Sequence, residues 1–354
     1  MIRTTRTRRG VTLVEMLVAA ALSISGMWLL TWVFQQGMDS FRMGNATANL
    51  TAQERMVTSL MTRDLKADKF LEEDNKPNRG RRLSDQRPDL PGYKAPKSGY
   101  FWTRSNSTAG YSFEGSDSYG FGTSRSSNHF ISFTMILPGG RNDQTFGVEV
   151  PAYSGNQYFG TAAEVSYYLK LTGKTANGTT DVFDLYRAQK LVARTFDDAP
   201  AYDTPVRSDP NDPPEVMSID TAVPQNARRL RTLSQLGNSL SRIQPYAPLA
   251  AGSNRSGEDK LLSNVLSFEV KYTGTDPLLK WPMTFDQGNT DFPYDFLPST
   301  AGEFDTHGLL NGAPPTGAPN GTLLKIRITG AQIRIRAYDP QTRSTRQTTF
   351  TVDQ

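Results

Sequence analysis

The fold of this 354-residue chain is decided near its start, where residues 8–20 read Arg-Arg-Gly-Val-Thr-Leu-Val-Glu-Met-Leu-Val-Ala-Ala. Four arginines and no acidic residue precede Gly10, and one acidic residue, Glu15, stands in the apolar run that follows. The next charged residue is Asp39, so Met16 to Met38 are 23 uncharged residues. As a helix they span ~35 Å, more than the ~30 Å hydrocarbon core of a bilayer. This stretch predicts a membrane-spanning helix.

Two ordinary kinds of N-terminal segment also place an apolar run after basic residues. A secretory signal peptide is disfavoured, because its apolar core is at most ~15 residues long. A plain signal anchor fits the arginines, which would remain in the cytoplasm, but it gives no reason for a carboxylate at Glu15. An ionisable group inside such a segment costs ~2.5–3.5 kcal/mol and marks function by default. Glu15 therefore favours a segment that does more than anchor the chain.

The order of a basic leader, Gly10, an apolar run and Glu15 resembles the type IV prepilin leader and cleavage site, which pilins share with the pseudopilins of type II secretion. The resemblance implies that a prepilin peptidase cuts after Gly10 and that the new α-amine of Val11 is methylated. Glu15 then matches the family's glutamate at the fifth position of the mature chain. Val11 stands where the family most often has phenylalanine, a position that varies within it.

The family also implies a role in assembly for Glu15. Its carboxylate would pair with the charged α-amine of Val11 in a neighbouring subunit, because lipid penalises each charge when it is unpaired. A simpler role is to stabilise the N-terminus of its own helix through the macrodipole, worth ~0.3–1 kcal/mol. The implied partners are other pilin-like subunits, the prepilin peptidase and inner-membrane lipid. The implied location is the inner membrane, with a single span and the head in the periplasm or on an assembled filament.

The composition excludes disulfides and thiol chemistry, and it indicates many loops in the part of the chain beyond the helix. The chain has no cysteine, and its formal charge of +4 equals the charge of the four leader arginines. The remainder is therefore neutral overall, and we expect no nucleic-acid partner. With 29 glycines, 22 prolines and 10% aromatic residues, the part beyond the helix is expected to be rich in strands and loops.

Helical spacing continues beyond the membrane segment. No proline occurs before Pro77, and one face carries a stripe of apolar residues, which predicts a continuous helix from about Val11 to about Glu72. The stripe comprises Met43, Ala46, Leu50, Val57, Met61 and Leu65. The predicted divisions are a cleaved leader (1–10), a transmembrane and assembly helix (11–38), an amphipathic extension (39–76) and a β-rich head with long insertions (77–354). The predicted fold class is α+β, a long N-terminal membrane helix packed on an antiparallel, pilin-like sheet.

Alternating β-branched and aromatic residues predict the strands of the head. The predicted strands are 128–137, 164–171, 181–194 (one strand or a pair), 261–273, and a hairpin of 323–338 and 342–352 that turns at 339–341. The alternation changes phase at Gly330, which predicts a bulge. Leucines at helical spacing predict a helix over 226–243. Loops and weak strands are expected over 77–127, and mostly irregular chain over 274–321.

Short motifs in this order resemble the J-type minor pseudopilins of type II secretion and the related W-type minor pilins. They are Arg63-Asp64-Leu65, Tyr167-Tyr168-Leu169, Leu185-Tyr186-Arg187, the strand Leu261 to Tyr272, Trp281 and Lys325-Ile326-Arg327-Ile328. Insertions at about 77–127, 195–260 and 284–321 depart from the compact J-type head. For this reason the resemblance does not carry the partner contacts of the J-type head over to this chain.

Catalytic patterns are missing from the sequence. The chain has two histidines, His129 and His307, and no cysteine nucleophile, G-x-S-x-G elbow or G-x-G-x-x-G loop. We therefore predict no enzyme, no catalytic residue, no cofactor and no resident metal. Two weaker alternatives remain, a calcium site in the acidic loop over 197–215 and an anionic partner for the basic, tyrosine-containing segment 79–97.

The sequence thus favours a structural assembly subunit. The leading function is a minor pseudopilin of a type II secretion system, assembled through its N-terminal helix. The alternatives are a minor pilin that primes or caps a type IV pilus and, from another class, a membrane-anchored surface enzyme or binding protein.

Overall fold

One long helix dominates the computed structural model, which describes residues 12–71, 80–87, 96–105, 112–113, 125–126, 128–139, 144–149, 157–174, 180–194, 230–238, 241–243, 258–275, 282–286, 303–306, 327–342 and 344–353. Helix α1 runs from Leu13 to Lys66, 54 residues, or ~81 Å at 1.5 Å per residue. Its side chains are exposed as far as Asn45 and are first buried at Glu54. Among the residues described, the helix therefore contacts the head near its C-terminal end.

The buried stripe of α1 follows the predicted spacing. Val57, Met61 and Leu65 are fully buried against the sheet, and Leu50 packs partly on the same core. The helix ends at Lys66, earlier than the expected end near Glu72. The reason is that the chain joins the sheet at once, since the residue after the Ala67 C-cap forms a bridge to strand residue Ile136. We call everything beyond α1 the head.

The head contains fifteen strands among the residues described. They are β1 (Phe70–Leu71), β2 (Gly80–Arg81), β3 (Phe101–Ser105), β4 (Ser112–Phe113), β5 (Arg125–Ser126), β6 (His129–Ile136), β7 (Phe146–Glu149), β8 (Gln157–Gly160), β9 (Ala162–Lys174), β10 (Asp181–Val192), β11 (Glu258–Thr275), β12 (Pro282–Asp286), β13 (Glu303–Asp305), β14 (Arg327–Asp339) and β15 (Ser344–Asp353). Nine form one antiparallel sheet in the order β13-β3-β6-β9-β10-β11-β14-β15, with β12 also pairing β11. The predicted α+β class is confirmed.

The large sheet curls, so strands that are distant in the sheet order come together. Asn128, just before β6, forms a bridge with Phe268 of β11. The ring of Phe101 stacks on Phe133 and packs edge-on against Tyr272, with 5.9 Å between centroids in both pairs. Inside the curl lies the main core, which the end of α1 completes. The opposite face carries a second, smaller core.

Most predicted strands are confirmed. Strands β6, β9, β10 and β11 lie where alternation placed them, and 181–192 is one strand rather than a pair. The hairpin of β14 and β15 is present, and its neighbour β11 shifts register between the partners of Gly330 and Ile328, which confirms the bulge. Three strands were missed or expected to be weak. Strand β3 pairs with β6 and β13 in the large sheet, and β12 and β13 lie in chain that was expected to be irregular.

The helix predicted over 226–243 is wrong. The described part, residues 230–238 and 241–243, is a strap that contains a 3₁₀ turn at Gln235–Gly237, and Thr232 forms a bridge with Ala193. Leu230, Leu233 and Leu236 are buried, whereas Leu240 lies outside the described residues. The buried leucines are three positions apart, and a turning strap across the sheet buries such leucines as well as a helix does. Two backbone hydrogen bonds favour this strap over a helix: the Ala193 N donates to the Arg231 carbonyl at 2.9 Å, and the Leu233 N donates to the Ala193 carbonyl at 3.0 Å.

Candidate functional site

The start of α1 is the first of the sites to which the sequence pointed. Thr12 and Glu15 form a reciprocal capping box: the Glu15 Oε2 accepts from the Thr12 backbone N at 2.9 Å, and the Thr12 Oγ1 accepts from the Glu15 backbone N at 3.3 Å. Each side chain thus satisfies a backbone donor that the helix leaves unpaired. Glu15 therefore stabilises its own helix N-terminus within one chain. Gly10 and Val11 lie outside the described residues.

The apolar half of α1 can cross a membrane. It is long and apolar enough for one span, and its large apolar side chains point outward. Its hydroxyl groups bond back to the helix, since Ser23, Ser25 and Thr31 donate to carbonyls four residues earlier at 2.8–2.9 Å. A hydroxyl satisfied in this way is tolerated where no water is present. These features are consistent with single-pass anchoring.

A buried ionic cluster joins the other end of α1 to the sheet. Asp64 is fully buried, and its Oδ2 accepts from the Tyr167 hydroxyl at 2.7 Å and from the Arg187 Nε at 2.7 Å. Arg63 binds the other carboxylate oxygen at 2.9 Å from the surface side. Burial, and then the charge of Asp64, raise the pKa of Tyr167 well above its usual value, so its hydroxyl remains a donor. The cluster fixes the helix against β9 and β10.

Three motifs that are far apart in sequence therefore meet in space. Arg63-Asp64-Leu65, Tyr167-Tyr168-Leu169 and Leu185-Tyr186-Arg187 each contribute one member to the cluster or to the adjacent core. The sequence showed these motifs, but it did not predict that they are in contact. The signal that could have found the contact is an acid in the last turn of an amphipathic helix, because a buried acid requires a buried basic partner.

Lys69 is a buried lysine that sequence reasoning missed. Its Nζ donates to the backbone carbonyls of Asp64 and Ala67, both at 2.7 Å, and lies 4.4 Å from the centre of the Phe133 ring. It thereby satisfies carbonyls at the helix C-terminus, where a positive charge is also favoured by the macrodipole. Burial nevertheless lowers the pKa of Lys69 to about 7, with Asp64 and Asp68 opposing the shift and Arg82 adding to it.

A second buried polar network lies under the strap on the other face of the sheet. Glu164 is fully buried, and its Oε1 accepts from the Tyr100 hydroxyl at 2.5 Å and from the Ile243 backbone N at 2.6 Å. Burial raises the pKa of Glu164, although these two bonds oppose the shift. Arg242 stacks on the Tyr100 ring at 4.2 Å and binds the Asp305 carboxylate at 2.7 Å. The network holds the strap to the sheet.

The remaining candidates are separated or lie outside the described residues. His129 is fully buried in β6, and its Nδ1 accepts from the Val270 backbone N at 3.0 Å. This contact gives the imidazole a structural role, joining β6 to β11. His307 and the acidic loop over 197–215 are outside the described part of the chain, as are residues 79 and 88–95 of the basic segment 79–97. Among the described residues, no group of three His, Asp or Glu side chains could hold a metal ion.

Comparison with known proteins adds no relative to this description. No family model, curated protein or solved structure matches the chain.

Proposed function

We propose that this chain is a structural subunit of a pilin-like assembly, and specifically a minor pseudopilin of type II secretion. The observation that carries the proposal is the order of a basic leader, Gly10, an apolar run and Glu15, on a helix that continues without a break into a sheet head. The capped helix start, the exposed apolar half and the buried end of α1 suit a subunit that is held by its helix and presents its head to partners.

The head would then work by contact rather than by chemistry. Three buried ionisable groups, Asp64 of α1 and Lys69 and Glu164 of the head, have partners within the fold: the Tyr167 hydroxyl, the Asp64 carbonyl and the Ile243 backbone N respectively. A minor pilin that primes or caps a type IV pilus shares all of these features. A retraction ATPase gene beside the gene for this chain would favour the pilus, and restoration of secretion or of piliation in a deletion strain would decide between the two.

Leader processing is the direct test of the proposal. Co-expressed with a prepilin peptidase, the chain should lose residues 1–10 and begin at a methylated Val11, which intact-mass analysis resolves. The variant Gly10→Leu should stay uncut, because its bulky side chain occupies the cleavage position. A chain that keeps Met1 to Gly10 in cells whose peptidase processes another prepilin would overturn the proposal.

A further inference from the structure

Strand β15 forms a long edge of the large sheet. Among the residues described, it pairs with β14 alone, in one unbroken register from Ser344 to Asp353. Every second residue of such an edge directs its backbone N–H and C=O away from the sheet. Proteins normally protect an edge with a proline, a lysine, a bulge or a very short strand, and β15, with ten residues, has none of these. The edge can therefore accept another strand.

Helix α1 crosses the strands of this sheet in order and leaves it over β15. Near the helix end, Asp64 contacts Tyr167 of β9 and Arg187 of β10. Ten residues earlier, Glu54 contacts Arg346 of β15 at 3.0 Å. Ten residues of helix rise ~15 Å, and the three strand spacings from β10 to β15 measure ~14 Å. The helix therefore runs nearly at right angles to the strands, and its continuation toward the membrane passes beyond the sheet edge.

The apolar stripe of α1 continues past that edge. Val57 is fully buried in the core, whereas Leu50 and Ala46 are half-buried. A strand added to β15 would lie ~4.8 Å beyond it, a distance that about three residues of helix cover. Because Glu54 lies over β15, the added strand would lie beneath Leu50 and Ala46 and would complete their burial. We call this place, bounded by β15 and by Ala46 and Leu50 of α1, the edge recess.

A second copy of this chain does not fit the edge recess. A twofold axis that pairs β15 with its own copy is perpendicular to the sheet for antiparallel strands and runs along the strands for parallel ones. Because α1 crosses the strands nearly at right angles, either axis reverses the helix, whereas copies anchored in one membrane are parallel. The opposite edge of the sheet, β13, has three residues, too few to match the ten of β15. The inference rests on the proposed function only for the common anchoring of the copies.

We propose that the edge recess binds an extended strand of a different protein, which is hydrogen-bonded to β15 and covered by α1. Side chains of an added strand alternate between the two faces of the sheet. Those that face α1 meet Leu50, Ala46 and the half-buried Phe350, so they should be apolar. Those on the other face lie beside Gln347 and Thr349, which are exposed and uncharged, so polar residues suit them. The partner segment therefore has the alternation of a strand with one buried face.

Hydrogen exchange tests whether β15 is occupied, whatever the partner is. The full chain is exchanged in membranes of its native host and in membranes of an unrelated host. In native membranes the backbone amides of residues 344–353 that point away from β14 should exchange about tenfold more slowly, because a partner strand protects them. The amides of β14, which already pair inside the sheet, should exchange equally in both. Equal exchange of β15 in the two membranes would overturn the proposal.

A matched pair of helix variants tests whether the partner touches both walls of the edge recess. Ala46→Glu places a charge on the stripe above the added strand, whereas Ala48→Glu places one on the exposed side of the same helix. Ala46→Glu should abolish the slow exchange of β15 in native membranes, and Ala48→Glu should retain it. Thermal unfolding of both variants from the unrelated host should match the wild type. Slow exchange that survives in Ala46→Glu would overturn the proposal, because the partner would then not lie beneath α1.

A cysteine variant tests the exclusion of a second copy, because the chain has no cysteine of its own. Thr349→Cys lies in the middle of β15, so self-pairing centred there would bring two thiols within disulfide distance. After oxidation of membranes with copper phenanthroline we expect no dimer, and a disulfide-linked dimer would overturn the choice of a different protein. Leader processing is measured by intact mass and strand addition by hydrogen exchange, so a failure of one is distinguished from a failure of the other.

Discussion

At the scale of single residues, Lys69 shows how a charge can serve the fold and oppose it at the same time. Its ammonium group satisfies two carbonyls at the helix end, but burial disfavours the charged form and lowers its pKa to about 7. In the unfolded chain a lysine has a pKa of ~10.4. Between these values the unfolded state binds more protons than the folded state, so stability rises with pH.

The Lys69 prediction follows from that sign. The free energy of unfolding should gain up to ~1.4 kcal/mol per pH unit from this group as pH rises from about 7 toward 10, and the full penalty should persist below pH 7. In Lys69→Met this rise should disappear, whereas the exposed control Lys66→Met should keep it. Denaturant unfolding of the detergent-solubilised chain at several pH values measures the difference. Parallel pH profiles for the wild type and Lys69→Met would contradict the prediction.

Glu15 raises a different question, because one carboxylate has two proposed roles. It caps its own helix through Thr12, and a glutamine can fill the same position in a capping box. Glu15→Gln therefore retains the cap and removes the charge, while Glu15→Leu removes both. If the charge pairs with a neighbour's Val11 amine, both variants should insert in the membrane yet fail to co-purify with partner subunits. Normal co-purification of Glu15→Gln would leave only the capping role.

At the scale of elements, the contact between α1 and the sheet depends on one buried ionic cluster as well as on apolar packing. Asp64 lies on the helix, and Tyr167 and Arg187 lie on adjacent strands. Removing one partner of a buried ion pair leaves the other charge uncompensated, which typically costs ~3–5 kcal/mol. The exposed member, Arg63, is 62% exposed and solvent weakens its attraction.

The Asp64 prediction is therefore a contrast between two neighbouring residues. Asp64→Ala should lower the free energy of unfolding by ~3–5 kcal/mol, and Arg63→Ala by less than ~1 kcal/mol. The double variant Asp64→Ala/Arg187→Ala should lose less than the sum of its single changes, because the two side chains are in contact. Urea unfolding in detergent compares the wild type, the single variants Asp64→Ala, Arg63→Ala and Arg187→Ala, and the double variant. Additive losses would show that the pair does not act as a unit.

Local patterns predicted the elements with regular alternation and failed where long-range contacts decide. The period-two pattern of β14 and its phase change at Gly330 predicted both the strand and its bulge. The leucines of the strap are three apart, and that spacing could not separate a helix from a strap held by Ala193 and Glu164. Strand β3 lies in chain rich in glycine and serine, where alternation is short. No local sequence pattern indicates that Lys69 is buried.

At the scale of the whole molecule, the helix and the described part of the head share a short contact. The buried residues of α1 are Glu54, Val57, Met61, Asp64 and Leu65, all in its last four turns. The preceding ~60 Å of helix contributes little to the core of the head. A subunit built this way can have its helix held by membrane and partner helices without any change in the head, because the two functions use different residues.

A truncation series tests this division. Chains that start at Gln36 or at Gly44 keep every buried residue of α1, so both should fold as soluble proteins with nearly equal urea midpoints. A chain that starts at Thr58 lacks Glu54, which binds Arg346 at 3.0 Å, and the fully buried Val57. Burial of one valine is worth ~1.5–3 kcal/mol, so this chain should be at least ~2 kcal/mol less stable or unfolded. Circular dichroism during urea titration compares the three. A lower midpoint for the Gly44 start than for the Gln36 start would mean that the membrane-proximal helix supports the head, and the separation of assembly from folding would be lost.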